Sequence, residues 1–357
     1  MGVQRLRIGM AGLGRVGKFH AMNFLERTPR AELVAAFTPD TNELAWGRVN
    51  LEPHGVTLYD NYDEMLKHPG LEAVAIGTAT SVHAEEAIKA IEQDLHVLCE
   101  KPLSIDIEVC KAVVAAAKKR PHLKVMCGFS RRFDESYREA YAKMELGLIG
   151  RPSIIRSQTC DRYDPKTCQF FVDYAAWSGG VFVDMAVHDI DLTLWFFGDD
   201  VVPKSISAHG ITAVQPELQK HQDYDNAVGI VEFWNGKIAY YYCSRMMAHG
   251  QEDTTEIIGT EGKLAVNNNP QSNLVSLYHT GGITREVPPN FMGRFGAAFA
   301  TEANEFTAAC LDNTPLPMKL TNAVKAVEIG AALQEALRAG KQIHFDQIGR
   351  RIEKAQL

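Results

Sequence analysis

This sequence predicts an α/β chain: a doubly wound parallel sheet first, then an α+β domain with a large, mostly antiparallel open sheet. Three observations carry that expectation. From Leu6 to Phe129, short apolar runs alternate with helical runs, the pattern of a parallel sheet covered on both faces. After Pro152 the runs are mostly strand-like and separated by turn residues. A length of 357 residues is too much for one ordinary core and suits two domains. The expected divisions are 1–128, 129–320, and a C-terminal helix and tail at 321–357 that packs back towards the first domain.

The first strand, Leu6–Ala11, runs into Gly12-Leu13-Gly14-Arg15-Val16-Gly17 and then an amphipathic helix. This is G-x-G-x-x-G between a strand and a helix, the context in which the motif binds a dinucleotide. Gly12 permits the tight turn, Gly14 lets a pyrophosphate approach the backbone, and Gly17 lets the helix close on the strand. The second strand, Glu32–Phe37, ends in Thr38-Pro39-Asp40. An acid at that end usually grips the ribose of NAD, and an arginine usually serves NADP. Here Thr38 takes the position, Asp40 comes two residues late, and no Lys or Arg follows before Arg48. NAD is therefore the expected cofactor, with NADP not excluded.

Leu71–Ile76 and His96–Cys99 are the next strands, with a helix from Ala84 to Glu92 between them. In an open α/β sheet, ligands sit beyond the carboxyl ends of the strands. Thr78 to His83 and Glu100-Lys101-Pro102 are two such ends. His83 either faces the site or bonds locally. Lys101 either points at the cofactor crevice, stiffened by its proline, or is a surface lysine in a turn. A helix, Ile107–Lys119, and a strand, Lys124–Phe129, complete the unit. Arg131 and Arg132 stand at that last strand end, placed to meet a phosphate, a substrate or a neighbouring carboxylate.

In the second half, expected strands are Ser153–Thr159, Ser205–His209, Ala227–Phe233, Lys237–Cys243, Thr254–Ile258, Lys263–Val266 and Leu274–Tyr278. Asn235-Gly236 is a hairpin signal between two of them. Helices are expected at Phe295–Asp312 and Leu320–Ala339, with Gly340 as a stop. Between loop and sheet lies Ser178–Asp191, where Asp184, His188 and Asp191 interrupt apolar residues. At i, i+4 and i+7 they form one stripe of a continuous helix. Carboxylates and an imidazole in apolar surroundings either satisfy one another or do chemistry.

Composition narrows the function. Net charge is -7, which argues against a nucleic-acid partner, and no apolar run is long enough to span a bilayer. The N-terminus lacks the pattern of a secretory signal. Seven scattered cysteines without a Cys-x-x-Cys read as reduced thiols in the cytoplasm. Tyr240-Tyr241-Tyr242 puts aromatics on both sides of one strand, as in sheet-to-sheet packing of a homo-oligomer, a dimer or tetramer.

Taken in order, Gly12-x-Gly14-x-x-Gly17, Glu100-Lys101-Pro102, Gly179-Gly180 and Asp184-x-x-x-His188-x-x-Asp191 resemble the glucose–fructose oxidoreductase/inositol dehydrogenase family. The likeness runs from Leu6 to about Gly340, and the Ser178–Asp191 stretch is closest to its inositol 2-dehydrogenase branch. The resemblance implies a Rossmann domain, a nicotinamide cofactor, a polyol or sugar substrate, and tetramers formed through the open sheet. It implies cofactor contacts at Gly12, Leu13, Gly14, Arg15, Val16, Thr38, Asp40, Thr78, Thr80, His83, Glu100 and Lys101. It makes Lys101, Asp184 and His188 catalytic, with Arg131, Asp191 and His249 at the substrate. Ala79-Thr80 departs from the frequent Pro-Asn, and His249-Gly250-Gln251-Glu252 departs from Tyr-Gly-Tyr-Asp.

Oxidising a secondary alcohol removes a hydride from carbon and a proton from oxygen. A base with a pKa near neutrality suits the second task, which singles out His188. Asp184 would orient the imidazole or hold a hydroxyl, and Asp191 likewise. Lys101 would stabilise the developing alkoxide. Two rival readings stand beside this one. The carboxylates and imidazole could ligate a metal, although none is expected here. Alternatively the chain could be a sensor that keeps the dinucleotide fold without turnover.

Overall fold

The computed structural model of the chain describes residues 4–353. The chain divides into two compact units. One comprises residues up to Phe133 with Ala297–Lys325, and the other Asp134–Gly296 with the residues from Ala326 on.

The first unit begins with β1 (Leu6–Ala11), α1 (Arg15–Met22), β2 (Ala31–Phe37), α2 (Thr41–Asn50) and β3 (Thr57–Tyr59). It continues through α3 (Tyr62–Met65), β4 (Ala73–Ile76), α4 (Thr80–Glu92), β5 (His96–Glu100), α5 (Ile107–Lys118) and β6 (Val125–Gly128). The six strands lie in the order β3-β2-β1-β4-β5-β6, and every neighbouring pair is parallel. Ile8, Met10, Val74, Val97 and Cys99 are buried, as strands covered on both faces require. The order reverses between β1 and β4. There the loops leave in opposite directions and open a crevice at the strands' carboxyl ends.

The second unit opens with α6 (Glu135–Glu145), β7 (Pro152–Arg162), α7 (Cys168–Ala175), α8 (Val181–Asp184) and α9 (Val187–Phe197). Then come β8 (Pro203–Ile211), β9 (Asn226–Phe233), β10 (Ile238–Met247), β11 (Glu252–Gly259) and β12 (Lys263–Val266). Two short strands, β13 (Ser276–His279) and β14 (Gly282–Arg285), precede the long helices α10 (Phe291–Asp312) and α11 (Leu320–Ala339). Two more, β15 (Ile343–Phe345) and β16 (Arg351–Ile352), end the described chain. The large sheet runs β12-β11-β7-β10-β9-β8-β15-β16. It is mostly antiparallel, but β7 and β10 pair in parallel.

One face of this sheet is sealed. Ile155 of β7, with Ala239, Tyr241 and Cys243 of β10, is fully buried, and the Tyr241 hydroxyl donates to Thr193 of α9 at 2.9 Å. The alternate residues lie on the other face, where Ile154, Ile230 and Ile238 are exposed. Period-two alternation therefore holds along these strands, with polar positions partly replaced by apolar ones.

Two expectations need correction. The strand expected at Leu274–Tyr278 is not in the large sheet. Residues 276–279 form a separate two-stranded hairpin with 282–285. The expected divisions at 128 and 320 also shift, because residues 297–320 belong to the first unit and those from 326 on to the second. Helices α10 and α11 are unbroken, and each supplies residues to both units. Apolar periodicity finds such a helix without showing which core each part enters.

Candidate active site

The glycine-rich loop has the geometry its sequence demands. Gly12 has φ +84, and a Cβ there would stand 2.8 Å from the carbonyl oxygen of Gly77. A Cβ on Gly17 would stand 2.0 Å from the carbonyl oxygen of Gly12, so no other residue fits where α1 closes on the loop. Gly14 occupies the N-cap of α1, and no side chain among the described residues caps that helix. The N–H groups and positive dipole end at the start of such a helix suit an anion.

Around the loop, the predicted residues take up varied duties. Thr38 is buried and donates to Glu43 Oε2 at 2.5 Å. The same oxygen accepts from the Leu13 N–H at 3.2 Å. Asp40 is the N-cap of α2, its Oδ1 accepting from the N–H groups of Asn42 and Glu43. Thr78 donates to Glu86 Oε2 at 2.6 Å, and burial pushes the Glu86 carboxyl up to about 7. Thr80 opens α4. His83 is buried with its ring nitrogens beside two carbonyl oxygens, Pro102 at 2.9 Å and Thr78 at 3.1 Å. It thereby ties the β4 strand end to the Lys101–Pro102 turn, whose peptide bond is cis. Burial, offset in part by those bonds, holds its pKa below the ordinary histidine value.

Behind Lys101 lies a buried acid cluster. Glu100 Oε2 accepts from the Lys101 N–H at 3.1 Å, while Oε1 meets His20 Nε2 at 2.7 Å. Burial favours the neutral acid, but the His20 hydrogen bond and the charges of His20 and Lys101 outweigh it and hold the Glu100 pKa low. Glu302, on α10, is fully buried within reach of both groups, and among the described residues neither of its oxygens has a hydrogen-bond partner. Burial, and then the negative charge of Glu100, raises its pKa well above the usual carboxyl range. Three ligand-type residues together invite a metal reading. Two donors on one ion, each at about 2.1 Å and at least 90° apart, are separated by about 3.0 Å or more. The 2.7 Å between His20 and Glu100 is the spacing of a shared proton. Arg131 is buried in the turn that follows β6.

In the second unit, the expected continuous helix is two helices. α8 ends at Asp184, Met185 and Ala186 form a turn with right-handed helical dihedrals, and α9 starts at Val187. The two segments are anchored separately. The Val181 and Phe182 N–H groups donate to Asp223 Oδ1 at 2.9 Å and Gln334 Oε1 at 3.3 Å, which fixes α8. Asp189 accepts from Ser157 and Thr159 of β7 at 2.6 Å each, which fixes α9 on the sheet. A two-residue turn thus interrupts the helix between Asp184 and the pair His188 and Asp191.

Asp184 is held from across the unit. Arg245 Nη2 donates to its Oδ2 at 2.6 Å, and the Tyr174 hydroxyl to its Oδ1 at 3.4 Å. The guanidinium, 4 % exposed, lies over the Phe171 ring at 4.5 Å. Burial opposes its charge, but Asp184, Asp161 and Asp223 more than compensate, so its pKa rises. His188 is partly exposed at the start of α9, and Asp191 is buried one turn later. His249 is exposed and meets Glu252 Oε2 at 2.8 Å.

Comparison with known proteins identifies the family. Residues 6–129 match the GFO/IDH/MocA oxidoreductase family with its NAD-binding Rossmann fold, and residues 137–265 match the C-terminal domain of the same family. The chain belongs to the GFO/IDH/MocA oxidoreductase family. It is 31% identical to the scyllo-inositol 2-dehydrogenase (NAD(+)) of Bacillus subtilis over 347 residues, 96% of this chain and 97% of that one. It is 28% identical to the myo-inositol 2-dehydrogenase of Thermotoga maritima, covering 96% of this chain and 99% of the other. The crystal structure of scyllo-inositol dehydrogenase from Lactobacillus casei with NAD(H) and scyllo-inositol superposes with a TM-score of 0.90 at 32% identity. That match covers 96% of this chain and 99% of the other.

As a member of this family, the chain carries an NAD-binding domain, and its residues fit the cofactor. The turn at Gly12 and the uncapped α1 would cradle the pyrophosphate, with the backbone N–H groups of Arg15 and Val16 nearest to it. Five residues of these three groups escaped the reading of the sequence: Glu43, His20, Glu302, Tyr174 and Arg245. His20 had a faint signal, being a polar residue three positions after Gly17 on an apolar helix face. The others gave no local signal, since each acts on a residue distant in sequence or across a strand–helix junction.

Proposed function

We propose that this chain is an NAD-dependent dehydrogenase that oxidises a secondary alcohol of a cyclic polyol of the inositol class. The observation that carries the reading is likeness over nearly the whole chain, at 31% and 32% identity, to two scyllo-inositol dehydrogenases. Lys101, Asp184 and His188 are all present to serve such a reaction.

His188 takes the hydroxyl proton as the carbon–hydrogen bond breaks, since a neutral imidazole is a competent base near pH 7. Asp184 is fixed by Arg245 and Tyr174, which leaves it a rigid acceptor for a substrate hydroxyl. Lys101 stabilises the growing alkoxide as a cation. Bound NAD would supply the hydride acceptor. Asp191, Arg131 and His249 are assigned to further hydroxyls of the ring. Initial rates over a panel of inositol isomers and aldoses, with NAD and NADP, test this reading. Reduction of NAD by at least one inositol isomer is expected. Tight NADH binding with no turnover of any polyol would instead make the chain a sensor.

The half-apolar open face of the large sheet supports a homo-oligomer formed through that face. Light scattering that finds only monomer at micromolar concentration would remove this assignment. All seven cysteines are free thiols, and we place the protein in the cytoplasm, where thiols stay reduced. Among the described residues, no helix is long and apolar enough to cross a membrane.

A further inference from the structure

We propose that Glu43 holds the adenosine ribose of NAD and turns away the 2′-phosphate of NADP, replacing the acid that other dinucleotide-binding units carry at the end of their second strand. The inference rests on the NAD-binding reading of the first unit and deepens it.

At the end of β2 stands Thr38, which carries no charge. Glu43 lies five residues on, in the first turn of α2, and its carboxylate reaches back to the glycine-rich loop. Oε2 takes two hydrogen bonds, from Thr38 Oγ1 at 2.5 Å and from the Leu13 N–H at 3.2 Å. Oε1 makes no hydrogen bond within the described residues, and it lies 3.3 Å from where a Cβ on Gly14 would stand. One oxygen is thus spent on fixing the carboxylate over the loop, and the other is left to accept from a ligand. Asp40 sets this up by capping α2 through the N–H groups of Asn42 and Glu43 itself.

A ribose with free 2′ and 3′ hydroxyls offers donors, and an ionised carboxylate is acceptor-only. The match is complementary for NAD. NADP puts a phosphate of charge roughly −2 at the 2′ position, which brings like charges together at Glu43. No Lys or Arg lies between residues 38 and 47 to offset this. The nearby Lys18 ammonium is over the Trp46 ring at 5.2 Å.

Equilibrium binding of NADH and NADPH to the full chain, followed by nicotinamide fluorescence, provides the test. The native chain should bind NADH about 100-fold or more tightly than NADPH. Glu43→Gln keeps the size and the bonds to Thr38 and Leu13 but loses the charge. It should shrink the ratio about tenfold or more, chiefly by improving NADPH binding. A second variant, Thr38→Asp combined with Glu43→Gln, restores an acid at the strand end and should restore the preference for NADH. If Glu43→Gln weakens both cofactors equally, or the ratio stays within twofold of the native one, Glu43 only ties α2 to the loop and the assignment falls. Both readouts are of binding. Failure to oxidise any polyol would defeat the proposed reaction and leave this assignment standing.

Discussion

Around the glycine-rich loop, polar groups are fixed by near neighbours. Asp40 caps its own helix, Thr78 meets Glu86 eight residues on, and His83 reaches the next strand end. Around Asp184 and His188 the anchors come from far along the chain. Arg245 is 61 residues from Asp184, and Gln334 is 152 from Phe182. The first region draws more on backbone groups and on side chains close in sequence. The second draws more on side chains distant in sequence, so one substitution should undo more of it.

His188→Ala should have the largest effect. We expect kcat to fall roughly 10²–10⁴-fold while NADH affinity is kept, because the two regions do separate tasks. Near-normal turnover in a rate assay would remove His188 from the mechanism. Next, Arg245→Met should destabilise the second unit by about 2–4 kcal/mol, since it strands the Asp184 carboxylate in a half-buried place. Denaturant unfolding measures this. A loss below about 1 kcal/mol would show that the second region tolerates losing a distant anchor after all.

The smallest effect belongs to the first region. Burial raises the Glu86 carboxyl from 4.5 to about 7, so folding favours its protonated form. That contribution is whole below pH 4.5 and is lost as pH rises to about 7. Glu86→Gln should therefore remove a pH-dependent loss of about 1–3 kcal/mol and make the chain relatively more stable above neutrality. Parallel stability-against-pH curves for the two proteins would contradict the assignment.

The same contrast explains what could be read from the sequence. Strands β1, β2, β4, β5 and β6 and the turn at Gly12 were legible because apolar runs and glycine spacing are local signals. The hairpin at Asn235-Gly236 was legible for the same reason, and Gly236 does take a positive φ of 78. The break after Asp184 was not legible. Periodicity registers which face is apolar, whereas the break follows from separate anchors on Asp223, Gln334 and the hydroxyls of β7. Arg245 stood just past a strand expected to end at Cys243, and nothing local marks the carboxylate it would meet. Glu43 was hidden because attention falls on the strand end, and the acid sits one helical turn beyond it.

Glu302 sets a limit on the conditions this protein can exploit. Alcohol oxidation releases a proton, so alkaline solution draws it forward. The same alkali tends to strip Glu302, and a second negative charge would then sit sealed beneath the Lys101 turn, next to Glu100, with no donor to receive it. Because its pKa is raised in the folded chain, this acid adds stability at low pH and withdraws it as pH climbs. Through this one acid, the medium that draws the forward reaction on also takes some stability from the fold.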